Sequence, residues 1–157
     1  MDSEVNKKKL YKVIDYWKRG DLNEALKQIE PLISQNPNSF FLHNFRAGIN
    51  HGLGNLDIAL SGFQKAIELN SNFAEGYNNL GSVLNAKGEF EDSVKAYNKA
   101  IEIDPNYFDA YKNLGISHIG LNNLEKALLA YKKASEIKPD DYELHKRIGN
   151  ILHMLGY

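Results

Sequence analysis

Residues 74–141 divide into two lines of equal length, AEGYNNLGSVLNAKGEFEDSVKAYNKAIEIDPNY at 74–107 and FDAYKNLGISHIGLNNLEKALLAYKKASEIKPDD at 108–141. When the two lines are aligned, identical residues coincide at an offset of one full line. This period, about 34 residues, is typical of a helix–turn–helix repeat arranged in tandem. The coincident pairs include Tyr77 and Tyr111, Asn79 and Asn113, Leu80 and Leu114, Gly81 and Gly115, Tyr97 and Tyr131, Ala100 and Ala134, and Pro105 and Pro139.

The same frame extends over the rest of the chain and predicts a single domain, residues 1–157, built from four repeats and a half. Repeats one and two are less regular than repeats three and four. Lys12-Val13 in repeat one and Arg46-Ala47 in repeat two replace the Leu-Gly pair. The predicted repeats, which we number one to five, span about 6–39, 40–73, 74–107, 108–141 and 142–157.

Each full repeat is predicted to contain two helices joined by a tight turn. Glycine accepts the left-handed backbone conformation that ends a helix, asparagine tolerates it, and proline prevents a helix from being extended. The predicted turn residues are Gly20, Gly54, Gly88 and Asn122, and the prolines that follow second helices are Pro37, Pro105 and Pro139. The predicted first helices span about 5–19, 40–53, 74–87, 108–121 and 142–155, and the second helices about 22–35, 56–69, 90–103 and 124–137.

The repeated small and aromatic residues are predicted to form the core between helices. A glycine on the inner face of a helix lets the partner helix approach closely, so we expect Gly81 and Gly115 to lie at helix contacts. Aromatic side chains that recur once per repeat, such as Tyr97 and Tyr131, are expected to fill the core rather than bind a cofactor.

The composition excludes several classes of function. With 19 basic and 20 acidic residues among 157, the chain has a net charge of −1, so no strong field attracts nucleic acid or an anionic membrane. No cysteine is present, which excludes disulfides and thiolate metal sites. The polar N-terminus does not resemble a signal peptide, and no segment approaches the roughly 20 apolar residues of a membrane span. We therefore expect a cytoplasmic protein.

The sequence also lacks the usual signatures of catalysis. No H-E-x-x-H metal motif occurs, and no glycine-rich segment is followed by the Gly-Lys-Ser/Thr of a phosphate loop. His43 and His145 occupy the position held by Tyr77 and Tyr111 in other repeats, so we interpret them as packing substitutes rather than metal ligands. We predict no enzyme activity, no cofactor and no metal site.

The pattern Tyr77-x2-Leu80-Gly81, Ser93-x3-Tyr97, Pro105, which recurs in the second of the two lines, resembles the tetratricopeptide repeat family. The resemblance implies an all-α fold, a right-handed superhelical solenoid of antiparallel helix hairpins with about nine helices. It further implies that first helices line a concave groove, that the groove binds peptides or protein segments, and that the scaffold has no chemistry of its own.

Within the family, the segments 77–81 and 111–115 look most like two subgroups. These are the repeat regions of O-linked N-acetylglucosamine transferases and of bacterial transferases that carry such repeats. In the first subgroup, an asparagine before the Leu-Gly pair forms a ladder along the groove. Asn79 and Asn113 match that place, so the resemblance implies two rungs of such a ladder.

Helical spacing assigns the residues that face the groove, on the side of each first helix opposite Leu80 and Gly81. Asparagine can donate to a peptide carbonyl and accept from a peptide N–H at once, which suits an extended partner. The predicted peptide-binding groove comprises Asn44, Asn78, Asn79, Ser82, Lys112, Asn113, Arg147 and Asn150. The predicted apolar end of the groove, suited to a hydrophobic anchor, comprises Leu10, Tyr11, Ile14 and Trp17.

Three functions remain open from the sequence. The chain is a peptide-binding scaffold, the substrate-recruiting N-terminal region of a larger transferase-type enzyme, or a structural spacer or oligomerisation module. A carboxylate clamp for chaperone C-termini is not expected, because Leu10, Ile14 and Ile116 replace residues that it needs.

The last predicted helix carries an apolar stripe that no second helix covers. Repeat arrays normally end in a capping element with a polar outer face. Either the chain is part of a longer protein, or a second copy or another partner buries this face. The predicted self-association surface comprises Ile148, Ile151, Leu152 and Leu155.

Overall fold

The computed structural model describes residues 3–157, with side chains described from Lys7 onward. This part of the chain contains nine α-helices and no strand, so the predicted all-α class is confirmed. The helices are α1 Ser3–Lys18, α2 Leu22–Gln35, α3 Phe40–Gly52, α4 Leu56–Leu69, α5 Ala74–Ala86, α6 Phe90–Ile103, α7 Phe108–Gly120, α8 Leu124–Ile137 and α9 Tyr142–Met154.

The predicted helix bounds and turns are confirmed. All four predicted second helices begin and end at the predicted residues, and the first helices differ from prediction by one or two residues. The four predicted turn residues have positive φ, which is 79° at Gly20 and 58° at Asn122. Each of these turns reverses the chain between the two helices of a hairpin, as in α1–α2 and α7–α8.

The helices form two compact units. The first unit ends at Asn72 and contains the hairpins α1–α2 and α3–α4, while the second unit begins at Phe73 and contains α5–α9. Within the first unit α2 also packs against α3, and within the second unit α6 packs against α7 and α8 against α9. The single domain and the exact repeat limits predicted from the sequence stay predictions.

In the second unit, glycine on a first helix lies close against tyrosine on the second helix of the same repeat, as the sequence predicts. A Cβ atom at Gly81 would lie 2.7 Å from Cε1 of Tyr97, and one at Gly115 would lie still closer to Tyr131. Both tyrosine rings are almost completely buried. Because real Cβ atoms do not approach so closely, only glycine fits opposite these rings.

The first unit fills the same positions with different residues. Val13 stands in the glycine position of repeat one, and Val13 and Ile29 are fully buried in one apolar cluster. In repeat two, Ala47 stands in the glycine position, and the close approach comes from Gly62 on α4, where a Cβ atom would lie 2.8 Å from Cβ of Ala47. The same position of each first helix therefore packs against the second helix in both units, although different residues occupy it.

The two charged departures from the Leu-Gly pair also have a physical reason. Arg46 is half-buried, and its Nη1 atom lies 3.5 Å from Oε2 of Glu30 on the preceding helix, α2. Lys12 occupies the equivalent position in α1 and is exposed, because no helix precedes α1 in the described residues. Arg46 thus replaces an apolar contact between repeats with an ion pair.

The structure corrects the prediction for α9. Ile151 is only 2% exposed, and Ile148 and Leu155 pack beside it against the cluster of Tyr131 and Leu144. The predicted apolar stripe therefore packs against α8 and the cluster of the preceding repeat instead of facing solvent, because spacings of three and four residues place these side chains on one side of α9. Of the four predicted self-association residues, Leu152 alone lies outside this cluster, and it is half-buried.

Candidate functional site

Side-chain amides connect two consecutive first helices of the second unit. Nδ2 of Asn113 on α7 donates to Oδ1 of Asn78 on α5 at 3.1 Å. We call Asn78, Asn79, Ser82 and Asn85 of α5, together with Lys112 and Asn113 of α7, the carboxamide face. The hydrogen bond fixes the orientation of both amides, and each still has hydrogen-bonding capacity for a further partner.

A second hydrogen-bond network lies beneath this face. Nδ2 of Asn85 donates to Oγ of Ser117 at 2.8 Å, and the hydroxyl oxygens of Ser117 and Ser93 are 2.7 Å apart. Ser93 also donates to the carbonyl oxygen of Phe90 at 2.8 Å. Both serines are fully buried, so this network ties α5, α6 and α7 together. No pattern in the sequence predicts this network.

The charged members of the predicted groove are paired locally. Nζ of Lys112 lies 3.1 Å from Oδ1 of Asp109 and 5.2 Å from the centre of the Phe108 ring. Nη2 of Arg147 lies 3.3 Å from Oε1 of Glu143. Each pair spans three or four residues of one helix and stays partly accessible to solvent, so its contribution to stability is small.

The predicted groove residues differ strongly in accessibility. Asn44 is 4% exposed and Asn78 is 8% exposed, so both lie largely beneath the surface. Asn79, Ser82 and Asn113 are half-buried, whereas Asn150 is exposed. Asn78 and Asn113 are thus joined directly by a hydrogen bond. Asn44 belongs to the first unit and is not part of this pair.

The predicted apolar end of the groove is an aromatic surface on the first unit. Tyr11 is 69% exposed and Trp17 is also exposed. Phe45 lies between two rings: its centroid is 5.5 Å from that of Trp17, in an edge-on arrangement, and 6.2 Å from that of Phe41, which is stacked on it. The four residues predicted for the apolar end did not include the two phenylalanines, although helical spacing assigns Phe41 and Phe45 to the groove side of their helix.

A cavity of about 320 Å³ opens beside this aromatic surface. Its walls are mainly apolar, and Lys7, Asn36 and Ser39 are the polar residues among them. Leu10 of the predicted apolar end lines it, while Ile14 of the same prediction is half-buried on α1. The lining residues are Lys7, Leu10, Leu32, Asn36, Ser39, Phe41 and Leu42.

Two histidines form hydrogen bonds to backbone carbonyls that follow second helices. Nε2 of His43 lies 2.7 Å from the carbonyl oxygen of Pro37, and Nε2 of His145 lies 2.6 Å from that of Pro139. Each of these histidines therefore forms a hydrogen bond to the segment after a second helix, which adds to the packing role predicted for it. Burial lowers the pKa of His51, and burial together with the charge of Lys126 lowers the pKa of His118.

Burial also raises the pKa of two tyrosines in the second unit. Burial raises the pKa of Tyr97, and a hydrogen bond with the Ser82 hydroxyl partly offsets this. Burial, with Glu75 and other carboxylates nearby, raises the pKa of Tyr107 to about 12. Both phenols are therefore neutral at physiological pH.

Within residues 3–157, no group of three or more histidine or acidic side chains is arranged to hold a metal ion. None of the helices in this part of the chain is long and apolar enough to cross a membrane.

Comparison with known families matches the central part of the chain. Three family models of the tetratricopeptide repeat match residues 63–95, 81–121 and 108–141. The matched residues run without a gap from the second helix of repeat two to the end of repeat four. No curated protein matches the chain.

Solved structures with the same fold cover most of the chain. The crystal structure of MamA is 25% identical, with a TM-score of 0.82 over 90% of this chain and 83% of that chain. PilF of Pseudomonas aeruginosa is 18% identical, with a TM-score of 0.89 over 96% of this chain and 69% of that chain. The first tetratricopeptide repeat domain of RPAP3, bound to an HSP90 peptide, is 19% identical, with a TM-score of 0.74 over 76% of this chain and 94% of that chain. These likenesses confirm the predicted fold class.

Proposed function

We propose that this tetratricopeptide repeat protein is a non-catalytic interaction scaffold that binds an extended segment of another protein on its carboxamide face. The observation that carries the proposal is the hydrogen bond of 3.1 Å between Asn113 and Asn78, which links two consecutive first helices. It holds two amides in fixed orientations before any partner arrives. A preorganised side chain loses less conformational freedom on binding, so more of its hydrogen-bond energy becomes affinity.

The chemistry of the face favours a partner that is recognised through its backbone. Asn79 and Asn113 are half-buried, which combines a fixed position with access from solvent. Their amides offer both donors and acceptors, and an extended peptide presents both kinds of group along its length. Because Lys112 is paired with Asp109, the face does not require an acidic partner.

A peptide library tests this proposal against the wild type and the variant with Asn79→Ala and Asn113→Ala. We expect peptides that bind the wild type to lose about tenfold or more in affinity, because each lost hydrogen bond in a desolvated site costs about 1 kcal/mol. Isothermal titration with the best peptides would measure the change. If the double variant retains every peptide at unchanged affinity, the carboxamide face is not the binding site.

The matched control for this test is Asn98→Ala, which removes an exposed asparagine from α6. It changes the same residue type outside the carboxamide face. We expect its affinities to equal those of the wild type. Circular dichroism of all variants shows whether each one keeps its helical content.

We further propose that the aromatic surface of the first unit accepts an apolar side chain of a partner. Large aromatic side chains dominate binding energy where they become buried in an interface. Trp17 lies in this surface and is the sole tryptophan of the chain, so its fluorescence reports on binding there. An emission shift to shorter wavelength, abolished by Tyr11→Ala, is the expected result. A peptide that binds tightly without changing the emission would contradict this part of the proposal.

A second candidate is a substrate-recruiting region of a larger transferase-type enzyme. Asn79 and Asn113 hold the place of the asparagine ladder in the family members that the sequence resembles. Both candidates use the same face, so the peptide experiment bears on both. The full reading frame distinguishes them, because the transferase candidate requires a catalytic domain in the same polypeptide.

The third candidate, a spacer or a module that self-associates through α9, has less support. Ile151 is buried and Ile148 and Leu155 are partly buried in the second unit, which reduces the surface on which self-association was predicted. A protein that remains monomeric in light scattering at high concentration would exclude self-association.

A further inference from the structure

The cavity beside the aromatic surface has one charged residue, Lys7, among its described lining residues. The two other polar residues of the lining already form hydrogen bonds with their own segments. Nδ2 of Asn36 donates to the carbonyl oxygen of Leu32 at 3.0 Å, and Oγ of Ser39 accepts from the backbone N–H of Leu42 at 3.4 Å. Lys7 therefore supplies the charge that a partner meets on entering this apolar cavity.

The charge of Lys7 is not neutralised by its surroundings. Lys7 is exposed, and no carboxylate among the described side chains forms an ion pair with it. From Lys7 onward, α1 carries a single acidic residue, Asp15, whose Oδ2 atom lies 2.9 Å from Nη2 of Arg19. Helix α3, which supplies Phe41 to the same cavity, contains no acidic residue. A carboxylate of a partner would therefore complement the charge at this site.

The second unit has acidic residues at the position of Lys7. The equivalent residues of repeats three, four and five are Glu75, Asp109 and Glu143. Two of these carboxylates form an ion pair with a basic residue of the same helix. This position of the second unit therefore presents no positive charge to a partner, and an acidic residue in the partner would favour the first unit.

Phe41 connects the cavity to the rest of the aromatic surface. Its ring lines the cavity and is stacked on that of Phe45, which packs edge-on against Trp17. Lys7 and Trp17 are ten residues apart on α1, so about 15 Å separates them along the helix axis. The surface thus has a cation near one end and the indole ring near the other.

We propose that the first unit binds an extended segment of a partner in which an acidic residue lies two positions from an apolar anchor. The inference rests on the proposed function, in which the aromatic surface accepts an apolar side chain. The anchor would occupy the cavity against Leu10 and Phe41. Alternate side chains of an extended segment lie on the same side, about 7 Å apart, so an acidic side chain two positions away would reach Lys7. Residues on the other side of the anchor would lie over Phe45 and Trp17.

The probe for this proposal is a set of short synthetic peptides with acetylated and amidated ends. Each contains a leucine anchor and carries either Asp or Asn two positions from it, so the two members of a pair differ in one charge. Emission of Trp17 reports binding at this surface. We expect the Asp peptide to bind about three- to fivefold more tightly at low salt, the size expected for a partly exposed ion pair. Because salt screens exposed charges, the difference should shrink at about 0.5 M salt.

Two variants of Lys7 test whether this residue reads the charge. Lys7→Gln should weaken binding of the Asp peptide to the level of the Asn peptide and leave binding of the Asn peptide unchanged. Lys7→Glu should reverse the preference, so that the Asn peptide binds more tightly. The matched control is Lys132→Gln, which removes an exposed lysine from α8 and should leave the preference unchanged. Circular dichroism shows whether each variant keeps its helical content.

Two results would contradict this inference while leaving the proposed function intact. The first is equal affinity of the Asp and Asn peptides for the wild type, with a change of Trp17 emission for both. The second is a preference for Asp that Lys7→Gln does not alter, since another residue would then read the charge.

Two further results would contradict it in other ways. Binding that requires a free C-terminal carboxylate on the peptide would show that the cavity takes a chain end instead of an internal segment. The absence of any emission change with every peptide would contradict the aromatic part of the proposed function as well.

Discussion

The two units solve the same packing problem with different residues. In the second unit, a glycine on the first helix faces a large ring, as Gly115 faces Tyr131. In repeat one, the same two positions hold Val13 and Ile29, both fully buried. A larger residue on one helix is matched by a smaller one on the other, so the space between the helices stays filled at close to the density of a crystal.

Repeat two shows an intermediate solution. Ala47 adds a methyl group to the first helix, and Gly62 removes one from the second helix at the point of contact. Phe63 takes the ring position and is almost completely buried. The comparison shows that the fit between the two facing residues is what the repeats share, and that the Leu-Gly signature is only one way to satisfy it.

The largest expected effect comes from moving the repeat-one pair into repeat four. Gly115→Val should lower the free energy of unfolding by about 3 kcal/mol, because the added side chain overlaps the ring of Tyr131. Tyr131→Ile alone leaves a cavity and should cost about 3 kcal/mol. Together, the two changes recreate the pair of Val13 and Ile29. The double variant should therefore be more stable than the sum predicts by about 2 kcal/mol.

Urea denaturation of the two single variants and the double variant measures this coupling. Strict additivity of the three free energies would show that the two positions do not compensate each other. The m-value checks that all variants unfold over a similar surface area.

The next effect concerns Pro31, which lies inside α2 and has no counterpart in α6 or α8. Helix α2 continues through Pro31, and Ile29, Leu32 and Ile33 around it are buried. Proline removes a backbone donor in the middle of a helix, so Pro31→Ala should raise the free energy of unfolding by about 2 kcal/mol. Thermal unfolding measures the change. A lower melting temperature of Pro31→Ala would show that proline fits α2 better than alanine does.

A smaller effect is expected in the buried serine network of the second unit. The first unit has the apolar residues Ile49 and Ala59 at the positions of Ser117 and Ser93. Ser117→Ala removes the partner of Asn85 and Ser93, and should cost about 1–2 kcal/mol. Adding Ser93→Ala removes one of the hydroxyl groups that Ser117→Ala leaves without a partner. The double variant should therefore lose less unfolding free energy than the sum of the losses of the two single variants. If the double variant loses as much unfolding free energy as the two single variants together, or more, the two serines do not form a coupled network.

The smallest effect is a pH dependence at His118, where repeats three and five have leucine. Because burial lowers the pKa of His118 in the folded state, the unfolded chain binds the proton more tightly. This contribution to stability is full above the unfolded pKa of about 6.5 and declines as the pH falls below it. His118→Leu should therefore reduce the drop in melting temperature between pH 7 and pH 5. His153→Gln, which alters an exposed histidine, should leave the drop unchanged.

The helices and turns of this protein could be predicted from its sequence because they depend on local signals. Glycine or asparagine at each turn and the constant repeat length fix where a helix ends, and these signals do not depend on contacts between distant residues. Pro31 lies inside both the predicted and the observed helix, although proline usually interrupts a helix, and its neighbours Ile29, Leu32 and Ile33 are buried.

Contacts between repeats were harder to predict. Gly52 packs against Leu22, and Gly120 packs against the ring of Phe90, in each case from the preceding second helix. Both glycines stand at the end of a helix, where sequence alone suggests only a helix terminus. The same difficulty explains the error at α9, where helical spacing identified an apolar stripe but not which of two neighbouring helices it faces.

Accessibility within the candidate site also depends on distant residues. Helical spacing placed Asn44 and Asn79 on comparable faces, yet Asn44 is almost fully buried and Asn79 is half-buried. The hydrogen bond from Asn113 to Asn78 joins residues one repeat apart, and no local pattern specifies it. The residue types of the site could thus be predicted, but not which of the amides a partner can reach.

The most direct test of the account is nuclear magnetic resonance of the side-chain amides. A peptide selected from the library would be titrated into the ¹⁵N-labelled protein while the NH₂ signals of asparagine are observed. We expect the signals of Asn79 and Asn113 to shift with a common saturation curve, and that of Asn98 to remain fixed. Saturable binding that leaves the signals of Asn79 and Asn113 unchanged would contradict the proposal that the carboxamide face binds the partner.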